Sequence, residues 1–241
     1  TINYNCPWIQ SYPFMIRGAM KGQKAAEKFL VPTLHFRYSR KKLVEDLGRF
    51  MNATFGTNRK AVDRAVRAAQ KAQADFERAL LEEGKKILDN LPENRISVVM
   101  LGRPYNTGDP ELNLSLIEKL IDLDVLPIPL DFLPLHQTID DVFKDYDMMY
   151  WPNGQKILAG VRMVARDERL HAVYITNFRC GPDSFLSHYV REEMRGKPYL
   201  QLEVDEHSAD AGMITRCEAF LDSLKGETKA ELPDNDFAPV S

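Results

Sequence analysis

The chain has 241 residues, 44% hydrophobic and 28% charged, with 32 basic against 35 acidic side chains and a formal net charge of -3. That length supplies a core for one large domain or two small ones, and the charge balance excludes a general nucleic-acid binder, which carries a basic stripe. There is no run of about 18 apolar residues, so a helical membrane span is excluded. No signal peptide is recognisable, and a cytoplasmic protein is expected.

In chain order, residues 1–95 read as mainly helical. An aromatic and proline-containing opening leads into a basic amphipathic stretch. Residues 29–36 are apolar and compatible with a strand that Pro32 restricts to an edge or bulge. Leu43, Leu47, Phe50 and Met51 set a helix from Arg40 to about Phe55, ending near Gly56. Val62, Ala65, Ala69, Ala72, Phe76, Leu80 and Ile87 then recur at helical spacing, predicting one long helix over 58–91 that Pro92 stops.

Beyond Pro92 the rhythm changes. Short apolar runs at 96–101, 125–130, 172–176 and 198–204 predict four strands. Helices are expected over 111–123, 150–169, 185–194 and 213–224. Strand–helix–strand alternation of this kind implies right-handed crossovers and a parallel sheet. The expected fold class is therefore α/β: a parallel four-stranded Rossmann- or flavodoxin-like domain over 96–224 follows the mainly helical region 1–95. That first region reads as the remainder of an upstream α/β domain. Residues 225–241 are polar and aperiodic and are expected to be disordered.

Ligands of open α/β sheets bind beyond the carboxyl ends of the strands, which directs attention to the loops at 102–109, 177–184 and 205–212. Three cysteines, Cys6, Cys180 and Cys217, are too few and too scattered for a disulfide framework. Cys180 precedes Gly181-Pro182, and Cys6 directly precedes Pro7. Proline favours the first helical position, so both thiols are placed at helix starts, where unpaired N–H groups stabilise a thiolate. Deprotonated sulfur is what iron–sulfur ligation needs, although ordinary loop or core cysteines account for the pattern equally well. Cys217 lies inside the last expected helix and reads as packing. Gly102, Arg103, Tyr105 and Asn106 end the first strand and offer backbone N–H groups to an anion; a tight turn capped near Asp109 is the plainer reading. Glu203, Asp205 and His207 alternate along an extended segment and offer an oxygen/nitrogen metal site or a proton-handling cluster, against the plainer reading of a solvated loop. The nucleotide-binding glycine motifs and the nucleophile elbow of hydrolases are absent.

Four strings, NCPWIQS at 5–11, LGRPYN at 101–106, FRCGPDSF at 178–185 and EVDEHSADAG at 203–212, together resemble the 2-hydroxyglutaryl-CoA dehydratase-like domain. The version is the one carried by large bacterial CoA-substrate-specific enzyme activase-related proteins, and the resemblance covers about residues 1–224. It implies an iron–sulfur cluster, [4Fe-4S] or double-cubane, with Cys6 and Cys180 as metal ligands. It further implies an ATP-dependent activase domain as partner, fused upstream, and an acyl-CoA or small-molecule substrate. The remaining cysteine ligand is expected upstream of Thr1, so the cluster of this chain alone is expected to be absent or incomplete. Three functions stay open: an electron-transfer or reductase module, a 2-hydroxyacyl-CoA dehydratase subunit, and a cluster-free scaffold docking activase modules. No nucleic-acid or membrane partner is expected.

Overall fold

The computed structural model describes residues 6–205 and 207–227. Four strands, β1 (Ser97–Leu101), β2 (Leu126–Pro129), β3 (Leu170–Asn177) and β4 (Leu200–Val204), form one all-parallel sheet in the order β2-β1-β3-β4. The expected α/β class and parallel sheet are both present. β2 contains Pro127 and Pro129, and it occupies an edge, where missing N–H donors are tolerated.

The N-terminal region carries α1 (Pro7–Ala19), α2 (Lys24–Glu27), α3 (Arg40–Phe55) and α4 (Arg59–Asp89). Ser39 and Asn58 cap α3 and α4 with their side chains, and Gly56 ends α3 in the left-handed region. Leu43 and Val44 meet Val62 and Val66 in a small core between these two helices. The strand compatible with residues 29–36 does not form: the segment lies outside the sheet and stays only partly buried. Pro32 denies it a ladder donor, and among the described residues it has no partner strand.

The single helix expected over 111–123 is two pieces, α6 (Pro110–Asn113) and α7 (Leu116–Asp122), and the expected turn before it holds a further short helix, α5 (Pro104–Gly108). Asp109 caps α6 by accepting from the N–H groups of Glu111 and Leu112 at 2.9 and 3.2 Å. Leu114 and Ser115 then adopt left-handed backbone at φ 54° and 52°. The buried Asn113 side chain restarts the helix by accepting from the Leu116 N–H at 3.2 Å. After β2 come a short 3-10 turn at Leu130–Phe132, α8 (His136–Asp145) and α9 (Pro152–Arg166). α10 (Gly181–Glu193) joins β3 to β4, and α11 (Asp210–Glu227) follows β4. The disorder expected from residue 225 gives way to helix through Glu227, and residues 228–241 lie outside the described residues. Among the described residues, no helix is long and apolar enough to cross a membrane.

Alternation along the strands divides the core by face, as a pleated sheet requires. Val99, Leu101, Ala172 and Tyr174 pack with α9 and α10, through residues such as Ile157, Val161, Leu186 and Val190. Val98, Met100, Val173 and Ile175 pack on the other face with Leu120 of α7 and Phe220 of α11. The buried Arg162 ties three helices together. Its Nε donates to Glu193 at 3.0 Å, its Nη1 pairs with Asp145 at 2.8 Å, and the Tyr146 hydroxyl donates to the same Glu193 at 2.8 Å. Burial opposes ionisation of Glu193, but Arg162 and Tyr146 outweigh it and hold the carboxyl below the ordinary value of 4.5. A carboxyl depressed in this way stabilises the fold above its unfolded pKa, and the contribution is lost as pH falls through the folded value. The urea midpoint is therefore expected to drop as pH falls below 4.5. Glu193→Gln should flatten that part of the profile; a profile of unchanged slope would show that the carboxylate is not linked to folding.

Candidate functional site

The strand order reverses direction between β1 and β3: the chain leaves β1 toward β2 on one side and proceeds from β3 to β4 on the other. That reversal opens a crevice at the carboxyl ends of the two central strands, where ligands of such sheets bind. Residues 102–109 lie on one side of it and residues 178–183 on the other.

Arg103 bridges the two sides. Its guanidinium donates to Asp183 at 2.6 Å, to the side-chain oxygen of Asn177, and to the Tyr105 hydroxyl at 2.5 Å. Asp183 is buried and also accepts from the Asn177 N–H at 2.9 Å. Burial raises the Asp183 pKa, against the pull of the Asn177 N–H and the Arg103 charge. Gly102 sits where a Cβ would come within 3.1 Å of the Ile175 carbonyl oxygen, so the loop lies flat on β3. The N–H groups of Asn106 and Thr107 are taken up by the Arg103 carbonyl at 2.9 and 3.1 Å. Asn106 is buried, and among the described residues neither polar atom of its side-chain amide finds a hydrogen-bond partner. The expected backbone anion cradle is thus partly consumed by the first turn of α5. What the loop contributes instead is a guanidinium fixed to the opposite loop.

Cys180 is the residue immediately before α10, with Pro182 in the first turn, and Cys6 stands in the same position before α1, with Pro7. A tight turn aims Cys180: its N–H donates to the Asn177 carbonyl at 3.1 Å, and Arg179 holds φ 57°, a conformation that turns usually give to glycine or asparagine. Although 173 residues separate them in the chain, Cys6 and Cys180 line one cleft of about 240 Å³ together with Arg103, Tyr105, Trp151 and Phe178. Burial pushes the Cys180 thiol up; the Asp183 N–H and the Arg103 charge pull it down, while the Asp183 carboxylate adds to the rise. The thiolate stabilisation expected from the helix N-terminus is therefore overridden by desolvation and a neighbouring carboxylate.

Cys217 belongs to the core on the α11 face of the sheet, and burial pushes its thiol up to about 11. Glu203, Asp205 and His207 stand apart from the cysteines, in a separate cleft of about 600 Å³ that also contains Arg191 and Arg216. The Asp205 carboxylate is used locally, accepting from the His207 N–H at 3.0 Å and the Ser208 hydroxyl at 2.9 Å. Among the described residues, no three His, Cys, Asp or Glu side chains are grouped to hold a metal ion. The turn thus uses the central carboxylate of the three. Asp183 and Asn177, which anchor the cysteine loop, were not singled out by the sequence; the only signal was an acidic residue three positions after Cys180, where it tops a helix.

Residues 2–133, more than half of the chain, match the family described as CoA enzyme activase uncharacterised domain. The chain belongs to this family. The matched span contains Cys6, Arg103, Tyr105, β1 and β2, while Cys180 and Asp183 lie beyond it. No curated protein and no solved structure matches the chain. Membership of the family ties the chain to activase-related proteins, with an activase-related partner in prospect.

Proposed function

We propose that this chain is the iron–sulfur electron-transfer or reductase module of an ATP-dependent activase system related to 2-hydroxyacyl-CoA dehydratases. The observation that carries the reading is the convergence of Cys6 and Cys180, from distant parts of the chain, on one cleft at the sheet's switch point. Two soft thiol donors at helix starts fit part of a cluster's ligand set. A cluster with four cysteine positions needs more than these two, so the remaining donors come from outside the described residues. When bound, the cluster would supply low-potential one-electron transfer.

The chain's own residues have defined tasks in this reading. Arg103 fixes the loop after β3 to the loop after β1 and so sets the position of Cys180. Trp8, Ile9, Trp151, Phe178 and Pro182 line the cleft beside the thiols with apolar surface, and solvent exposure is one of the factors that sets a cluster's potential. The activase partner, fused upstream, would deliver electrons to this cleft.

Anaerobic reconstitution with ferrous iron and sulfide tests the proposal. The protein in its full natural length is expected to retain iron and sulfide and to show a low-potential EPR signal. Cys6→Ala and Cys180→Ala should each lower retained iron at least fivefold, while Cys217→Ala should leave it unchanged. Iron retention equal to wild type in both loop variants would overturn the reading and leave a metal-free scaffold.

A further inference from the structure

Next to the cysteine cleft lies a second, larger chamber of about 660 Å³, between α10 and the segment 145–151 that links α8 to α9. Its wall is aromatic and sulfur-rich. Tyr189 packs edge-on against Tyr146 and Phe185, with ring centroids 4.9 and 5.2 Å apart, and Met149 and Trp151 complete the wall. The Tyr146 hydroxyl is already engaged with Glu193, so this residue presents its ring to the space.

The charges on the lining are one-sided. Among the described residues it contains no lysine, arginine or histidine, and its charged residues are Asp145, paired with Arg162, and Asp147. A phosphate-bearing ligand would meet two carboxylates and no cation there, at an energetic cost in a partly desolvated space. An uncharged apolar molecule meets matching surface. A dry cavity of about 150 Å³ suffices for benzene, so this chamber has room for one to three rings.

Gly181 connects the two spaces. With Cys6, Trp151 and Pro182 it lines both the chamber and the cysteine cleft. A Cβ on Gly181 would have nothing within 4 Å, and its backbone is not in the left-handed region. A side chain there would meet open space at a position that borders both cavities and would leave the packing around it undisturbed.

We propose that the chamber is a binding site for a small, uncharged, ring-bearing apolar molecule, and that Gly181 is the residue that leaves the way open from this site to the thiols. The proposal deepens the reductase reading by giving its site a substrate class, and it rests on that reading only for the chemistry that follows binding. Binding itself can be measured without a cluster. A failure here therefore leaves the iron test untouched, and a failure of the iron test leaves this one standing.

The experiment is 19F NMR titration of the protein with 4-fluorotoluene, with 4-fluorobenzoate and 4-fluorobenzoyl-CoA as anionic and CoA-bearing comparators. Saturable binding of the neutral probe is expected, at least tenfold tighter than either comparator. Gly181→Leu should weaken it at least tenfold with an unchanged thermal midpoint. Phe185→Ala, at a residue that is 62% exposed and so dispensable for folding, should weaken it about threefold or more if ring contact holds the ligand. This second variant decides the matter if Gly181→Leu lowers the midpoint. No saturable binding, wild-type affinity in Phe185→Ala, wild-type affinity in a folded Gly181→Leu, or tighter binding of the CoA ester would each overturn the proposal.

Discussion

Asp183→Ala is expected to destabilise the protein by about 3–5 kcal/mol, because it strips the partner from a buried guanidinium. Asp183 is 2% exposed and Arg103 8%, and the carboxylate accepts from both Arg103 and the Asn177 N–H. Its raised pKa indicates that the pairing does not wholly offset the loss of hydration. Removing one partner should therefore cost more than removing both. The double variant Arg103→Met/Asp183→Leu is expected to recover at least half of the lost stability in urea unfolding. The loop that aims Cys180 depends on the same contacts, so the single variant should also lose metal retention. Wild-type stability in Asp183→Ala would show that the pair is not coupled to the fold.

Gly84→Ala is expected to be nearly as damaging, for a reason that involves no charge. A Cβ at Gly84 would sit 2.0 Å from the carbonyl oxygen of Phe132 and 2.7 Å from its carbonyl carbon. The long helix α4 thus packs backbone to backbone against the 3-10 turn that follows β2, with Ile87 and Leu88 docking beside it. A backbone neighbour cannot swing aside as a side chain would, so α4 must lift from the domain. The loss should reach about 3 kcal/mol, the upper end of the usual range for overpacking. Gly48→Ala in α3 is the control, since its Cβ would have nothing within 4 Å. There the helix-propensity gain of about 1 kcal/mol should appear as a small rise in the unfolding midpoint. If Gly84→Ala leaves the midpoint unchanged, α4 does not pack on the turn this closely.

The features legible in the sequence were those with short-range causes. Apolar runs bounded by turns gave four strands, and helical spacing plus Asn58 and Pro92 gave α4 almost to the residue. The three-piece connection after β1 was hidden because it depends on Asn113, whose buried side chain restarts the helix after two left-handed residues. α8 was not read from the sequence although its residues are amphipathic; it is only ten residues long and buries Val142 alone. In the site, cysteine before proline marked both helix starts. The thiol environment was not legible, since it depends on Asp183 and Arg103, which contact each other across 80 residues of chain. At Glu203, Asp205 and His207 the local geometry was the less legible part: the Asp205 carboxylate closes a turn onto the backbone N–H two residues on.

The most direct test of the account is cysteine alkylation read by mass spectrometry, with and without iron and sulfide. Cys6 and Cys180 are partly exposed and share a cleft, whereas Cys217 is 1% exposed in the core. In the metal-free native protein, Cys6 and Cys180 should label and Cys217 should not. Anaerobic loading should protect Cys6 and Cys180 together, at least tenfold in rate, and Cys217 should react only after denaturation. Equal labelling of Cys6 and Cys180 before and after loading, or protection of one without the other, would contradict the shared thiol site.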